Sequence, residues 1–330
     1  MQIIEPTAAE SAAGIRAMVE VGRAAGTLSP AVRNLLAAAQ RHILHTDVDV
    51  DALAPIAPGD LAAAVQRPEM RQQLVNAMVI ASFADGVPPP AQADAVERFA
   101  AALGVHGPEL STLRRLADHE RALYVLCVLR NGHMPDMVRD TYRHHGGVAG
   151  VAKALLHIRG ITADPQMAAR YHALERLADD RLGKHFWRHY HDHGFAFPGE
   201  AGGFPEAGVY HDFTHVLAGY NTSPEGETLL GGFIAGYRDR RPDRGFFTLL
   251  FVLSIFSVGI DVTPIDVGAR TGTLGHTAAP LIEAIRRGGA MPVDLSDNWD
   301  HWAWVDLPLQ EARQRLGIAP KRERGGWDYD

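Results

Sequence analysis

The sequence predicts an all-α protein of two helical domains, on three observations. Ala, Leu and Val recur at three- and four-residue intervals through the first 130 positions. Alternating apolar and polar runs, the mark of a half-buried strand, are very few. Clusters of Gly, Pro and Ser punctuate the periodic segments at spacings that suit a compact helical bundle.

In chain order, helices are expected at 8–24, 30–43, 69–84, 91–103, 109–118 and 120–129. Ser29-Pro30, Gly59-Asp60 and the Pro- and Gly-rich turns at 85–90 and 104–108 separate them. Asp85 stands before Gly in a turn and is read as serving the backbone, so no catalytic residue is assigned to this half. The run from Asn131 to Pro135 breaks the pattern, and the boundary is placed near Gly132, giving domains 1–132 and 133–330. Residues 136–158 then read as a long segment with its weak point at Gly146-Gly147. Helices follow at 166–180 and 182–192, and the stretch 194–205 is too rich in Gly and Pro for regular structure. The apolar run 246–260 falls short of the roughly 18 to 20 residues that cross a bilayer and contains Ser254 and Ser257. A buried core helix is expected there, with a lining for a greasy pocket or a membrane-touching surface as the rival.

At 330 residues, two domains are the better expectation. A hydrophobic share of 46%, a charged share of 22% and a net charge of -7 suit a globular chain without a phosphate-neutralising stripe, so nucleic acid is not an expected partner. The small cluster Lys321 to Arg324 reads as a solvated tail. Cys127 is the single cysteine, which leaves neither a disulfide framework nor a thiolate metal site within one chain, and it reads as a small core residue. The amino terminus lacks a charged segment followed by an apolar one, so no signal peptide is expected and a cytoplasmic location follows.

The most informative stretch is His211-Asp212-x-x-His215 with Glu227 beyond a turn. If 210–219 is helical, each residue turns the side chain by about 100°, and His211, Asp212 and His215 fall within an arc of about 100°. Gly219 and the residues 221–226 carry stop and turn signals, and an apolar run at 228–234 opens a second helix. Antiparallel helices would return Glu227 to the side of His215. Two imidazoles with two carboxylates would accept Zn²⁺, Fe²⁺ or Mn²⁺, and ligand type alone does not choose among them; zinc is the first expectation. A second cluster, His185, His189 and His193, also shares a helical face. Its outer members diverge by about 80° around the axis and about 12 Å along it, so at most two could share an ion. There Phe186, Trp187 and Tyr190 are expected to pack inward, with partly exposed or hydrogen-bonded imidazoles and His189 or His193 as outer partners of a metal site.

The spacing of His211, Asp212, His215 and Glu227, with the flanking Val216 to Tyr220 and Gly226, resembles the signature of the Coq-four family of coenzyme Q biosynthesis proteins. Ala284 to Arg287, Trp302 to Trp304 and 307–318 are similar to that family's carboxyl-terminal helices, so the resemblance covers about 165–320. It implies an all-helical fold and all four residues as metal ligands. It also implies a metal-dependent oxidative decarboxylation of a polyprenylated hydroxybenzoate, a hydroxyl replacing the ring carboxylate. A bound isoprenoid tail, other quinone-pathway enzymes as partners and peripheral contact with the inner face of a membrane belong to the same expectation. Homo-oligomerisation is left open. In the first half, 75–90 and 95–105 resemble the TerB-like helical domain of tellurite-resistance proteins, which would make a stress-response role an alternative. A non-catalytic isoprenoid-binding scaffold with a structural metal is the other.

Overall fold

A computed structural model of the chain describes residues 2–144, 146–159, 161–238, 242–260 and 274–323. Among them lie sixteen α-helices and no β-strand, with one isolated antiparallel bridge between Arg181 and Pro308. The protein is all-α.

The amino-terminal helices are α1 (Ala8–Arg23), α2 (Pro30–Ala39), α3 (Pro58–Ala64), α4 (Pro68–Ser82), α5 (Pro90–Leu103), α6 (Pro108–Ala117) and α7 (Arg121–Asn131). Thr7 and Glu10 close α1 with a reciprocal capping box, and Ser29 caps α2 through the Val32 amide. Helices α2 to α6 each begin on Pro, whose missing N–H is lost at no cost in a first turn. That rule recovers α3, which the sequence reading passed over as a break at Gly59-Asp60. Helix α2 also stops short of the expected 43: a widened π turn, Gln40–Leu44, carries the chain to His45 at φ +51°.

Next come α8 (Met134–His144) and α9 (Gly147–Ile158), parted at the expected glycines. They are followed by α10 (Pro165–Ala173), α11 (Leu182–His193), α12 (Tyr210–Ala218), α13 (Pro224–Tyr237), α14 (Pro242–Leu253), α15 (Ala278–Gly289) and α16 (Leu309–Arg315). Helix α14 and the π turn after it bury Phe246, Phe247, Leu250, Leu253, Ile255 and Phe256, so 246–260 is core and not a membrane-facing surface. Among the described residues no helix is long and apolar enough to cross a membrane.

One hydrophobic cluster runs from Ile15 and Leu36 through Val128 to Phe247 and Ile285. Helix α2 packs on α15 and α7 on α14, while Arg286 donates to Glu5 (2.6 Å) and to the His42 carbonyl (2.6 Å). The boundary near Gly132 therefore marks no break in the core. Cys127 is only partly buried, because α7 buries just Tyr124 and Val128 along one stripe. The expected solvated tail is instead tethered: Lys321 donates to the Gly219 carbonyl, and the amides of Arg322 and Glu323 donate to Glu283. Arg324 lies outside the described residues.

Helices α13 and α15 approach at backbone contact. A Cβ on Gly288 would lie 1.9 Å from the Phe233 carbonyl oxygen, and one on Gly236 would lie 2.3 Å from that of Ile285. Only glycine permits this crossing. It fixes the helix whose first turn carries Glu227.

Candidate metal centre

The Gly-rich stretch before α12 is irregular but held. The Glu200 carboxylate accepts from the Phe197 amide (2.7 Å) and from His172 (2.8 Å), and Gly199, at φ +98°, brings its carbonyl to the Asp164 amide (2.7 Å). Helix α12 then begins at Tyr210 and ends at Gly219, which adopts φ +78° as a left-handed cap. Its last carbonyls are met by cations. Arg313 donates to Val216 and Leu217, Arg287 to Ala218 and Lys321 to Gly219, an arrangement the helix dipole favours.

The turn after Gly219 returns the chain tightly. Ser223 caps α13 through the Gly226 amide (3.1 Å), and a Cβ on Gly226 would lie 2.1 Å from the Asn221 carbonyl oxygen. Glycine is required there. Glu227 thereby reaches both imidazoles: its carboxylate oxygens lie 3.2 Å from His215 Nε2 and 3.5 Å from His211 Nε2.

One ligand atom from each of His211, His215 and Glu227 lies within 4.8 Å of the others. Ligands around a tetrahedral zinc with bonds of about 2.0 to 2.1 Å stand roughly 3.3 Å apart, so small side-chain rotations would close the set on an ion. The other ring nitrogens are already engaged. His215 Nδ1 donates to the Tyr220 carbonyl (2.9 Å), and His211 Nδ1 lies 3.0 Å from Asp212 Oδ1. Both Nε2 atoms are thereby left to face Glu227.

Asp212, expected as a fourth ligand, stands at the opposite edge of the His211 ring. Its second oxygen accepts the Tyr190 hydroxyl. The structure thus brings three of the four residues together and gives Asp212 the position of a carboxylate that orients a ligating imidazole.

Charge follows the same geometry. Burial opposes a proton on His211, but the Asp212 and Glu227 carboxylates outweigh it and push this imidazole up to about 10. Burial likewise opposes charge on Glu227, yet His215 and His211 hold its carboxyl well below the usual range. Asp212 is lowered against its burial, chiefly by His211. Without a metal, the cluster is a partly buried ion pair: an imidazolium between two carboxylates.

The second histidine cluster does not assemble on one ion. His189 is 1% exposed and stacks on His215 with ring centroids 5.1 Å apart. This is more burial than its sequence suggested, and it lowers the imidazole to about 3. His193 points outward with Nδ1 on the His189 carbonyl, and His185 is half-buried on another part of the helix. Phe186 and Tyr190 pack inward as expected, while Trp187 is only partly buried.

Sequence reasoning missed the hydrogen bond from Tyr190 to Asp212 and a polar group beside it. The Tyr171 hydroxyl lies 2.9 Å from His301 Nε2, 130 residues away, and Trp302 Nε1 donates to Glu206 (3.1 Å). His301, Trp302 and Glu206, together with Tyr210 and Trp299, line a cavity of about 320 Å³. Tyr210, the residue before His211, ties that cavity to α12. No local pattern announces a pair so far apart in sequence.

Compared with known proteins, this chain matches no family description, no curated protein and no solved structure.

Proposed function

We propose that this chain is a metalloprotein in which His211, His215 and Glu227 hold one divalent ion. The observation that carries this reading is the convergence of two Nε2 atoms on one carboxylate, with both Nδ1 atoms already engaged. Two imidazoles and a carboxylate suit zinc best, with Fe²⁺ and Mn²⁺ as alternatives. Three protein ligands leave a coordination position open, as catalytic sites do and closed structural sites do not.

The resemblance to the Coq-four signature supports a prenylated aromatic acid as substrate, with the ring carboxylate leaving as CO₂, a hydroxyl from water taking its place, and O₂ balancing the two-electron oxidation by leaving as H₂O₂. A bound ion would supply Lewis acidity toward a carboxylate or phenolate and, if redox-active, a partner for O₂. Asp212 and Tyr190 would keep the His211 ring in place, and His189 would keep water from one side of His215. A prenyl tail has a candidate berth. An apolar cavity of about 410 Å³ lies between α1, α2 and α4 on one side and Leu249, Leu281, Ile282 and Ile285 on the other. Leu281 also packs against Gly232, about 7.5 Å along α13 from Glu227.

That cavity equally favours a second reading, a non-catalytic carrier of an isoprenoid within a quinone-pathway assembly. Profiling quinones and precursors in cells lacking the protein separates the two. Complementation by wild type but not by Glu227→Gln should clear a carboxylated prenyl-aromatic precursor. An unchanged profile would sink the enzyme reading, and equal rescue by Glu227→Gln would favour the carrier.

A further inference from the structure

Large apolar side chains are exposed mainly in one part of this molecule. Leu126 on α7, Val138 and Tyr142 on α8, Val148 and Leu155 on α9, and Ile161 just beyond are all at least half exposed, Val148 reaching 75%. Among the described residues outside 123–161, the only large hydrophobic side chains exposed to solvent are Val48 and Phe195. Helix α9 is apolar along most of its length, yet no described side chain of it is buried. The three helices pack in succession, α7 on α8 and α8 on α9, so their exposed side chains belong to one region of the surface. Scattered exposed apolar residues need no explanation, but a concentration of this kind marks an interaction surface.

The charge of the same segment says what it meets. Residues 121–161 carry six Lys and Arg against two Asp, a net charge of +4 in a chain of net charge -7. Arg121, Arg130, Arg143, Lys153 and Arg159 are all exposed. Apolar side chains interleaved with long basic ones are what an amphipathic surface presents to anionic headgroups, the aliphatic stems lying in the interface and the charges reaching phosphates. A second copy of the chain would bring two positive faces together, which like-charge repulsion opposes. Helix α9, at 12 residues, spans about 18 Å, so it can lie in the interface but cannot cross it.

We infer that α7, α8 and α9 form a docking surface for an anionic lipid bilayer, with Leu126, Val148 and Leu155 entering the interface and the surrounding arginines engaging lipid phosphates. This surface precedes the stretch that resembles the Coq-four family and stands independently of the metal reading.

The test is flotation of the full-length protein with phosphatidylcholine vesicles, with and without phosphatidylserine. Wild type should float with the phosphatidylserine vesicles, more weakly with pure phosphatidylcholine, and be partly released by salt. The double variant Leu126→Glu, Leu155→Glu alters two side chains that are each 59% exposed, so little packing is lost. It should keep the wild-type circular dichroism and bind vesicles at least tenfold more weakly. Arg130→Glu with Arg143→Glu should do the same, each basic charge near the surface counting for about fivefold. Failure of wild type to float, or vesicle binding by both variants equal to wild type, would overturn the inference. So would a wild-type dimer that the leucine variant dissociates in the absence of any vesicle binding.

Discussion

The close crossing of α13 and α15 places the Glu227 carboxylate, and Gly288→Ala probes it directly. The new Cβ would stand 1.9 Å from the Phe233 carbonyl oxygen and 2.8 Å from its carbon, where real contacts essentially never fall below 3.0 Å. The obstacle is backbone, so no rotamer change relieves it, and the helices must separate by about an ångström. Overpacking of this kind costs about 3 kcal/mol, the upper end of its usual range. The better helix propensity of Ala returns about 1 kcal/mol, which leaves about 2 kcal/mol of destabilisation. With an unfolding entropy of about 2.1 cal/mol/K per residue, that lowers Tm by about 3 °C in a chain of 330 residues. Gly14→Ala is the matched control: it also lies within a helix, but its Cβ would meet Leu74 at an ordinary 3.5 Å. It should raise stability by about 1 kcal/mol through helix propensity alone. Thermal and urea unfolding followed by far-UV circular dichroism measure both. A Gly288→Ala protein as stable as wild type would refute the crossing, and with it the reason Glu227 sits where it does.

Three further outcomes follow from the site itself. With His211 raised to about 10, the metal-free protein holds a proton there at neutral pH, so zinc uptake should release close to one proton at about pH 7. Calorimetry in buffers of different ionisation enthalpy measures it, and proton-neutral binding would contradict the imidazolium. The linkage sign is fixed as well: the stabilisation from His211 is complete below its ordinary 6.5 and is lost as pH rises toward about 10, so metal-free protein should weaken over that window. Asp212→Asn, which keeps shape but removes the charge behind His211, should weaken zinc binding about 10- to 100-fold without abolishing it. Complete loss of binding in a competition titration with a chelating dye would make Asp212 a ligand instead of an orienting group.

Much of the helical framework was legible because its signals are local. Pro at a first turn, Gly past a last turn and a three-to-four apolar period lie within a few residues of the structure they specify. The same locality made His211, His215 and Glu227 readable, since one helix, one glycine-capped stop and one capped restart bring them together. Asp212 was not, because helical phase sets the face of a side chain but not which ring nitrogen of its neighbour it meets. Tyr190 and Tyr220 escaped for a different reason: they act through tertiary contacts that leave no periodic trace. The exposure of α7 to α9 was equally hidden, since an apolar run looks the same in sequence whether or not another helix covers it.

The central claim is the ion, and its most direct measurement is the metal content of purified protein after exposure to Zn²⁺, Fe²⁺ or Mn²⁺ and removal of excess. His215 is the least exposed of the three proposed ligands at 1%, and it is oriented by the Tyr220 carbonyl, so His215→Ala removes the innermost member of the set. Wild type should carry about one ion per chain and His215→Ala essentially none. An empty wild type, or a variant that keeps the wild-type metal content, would contradict the claim.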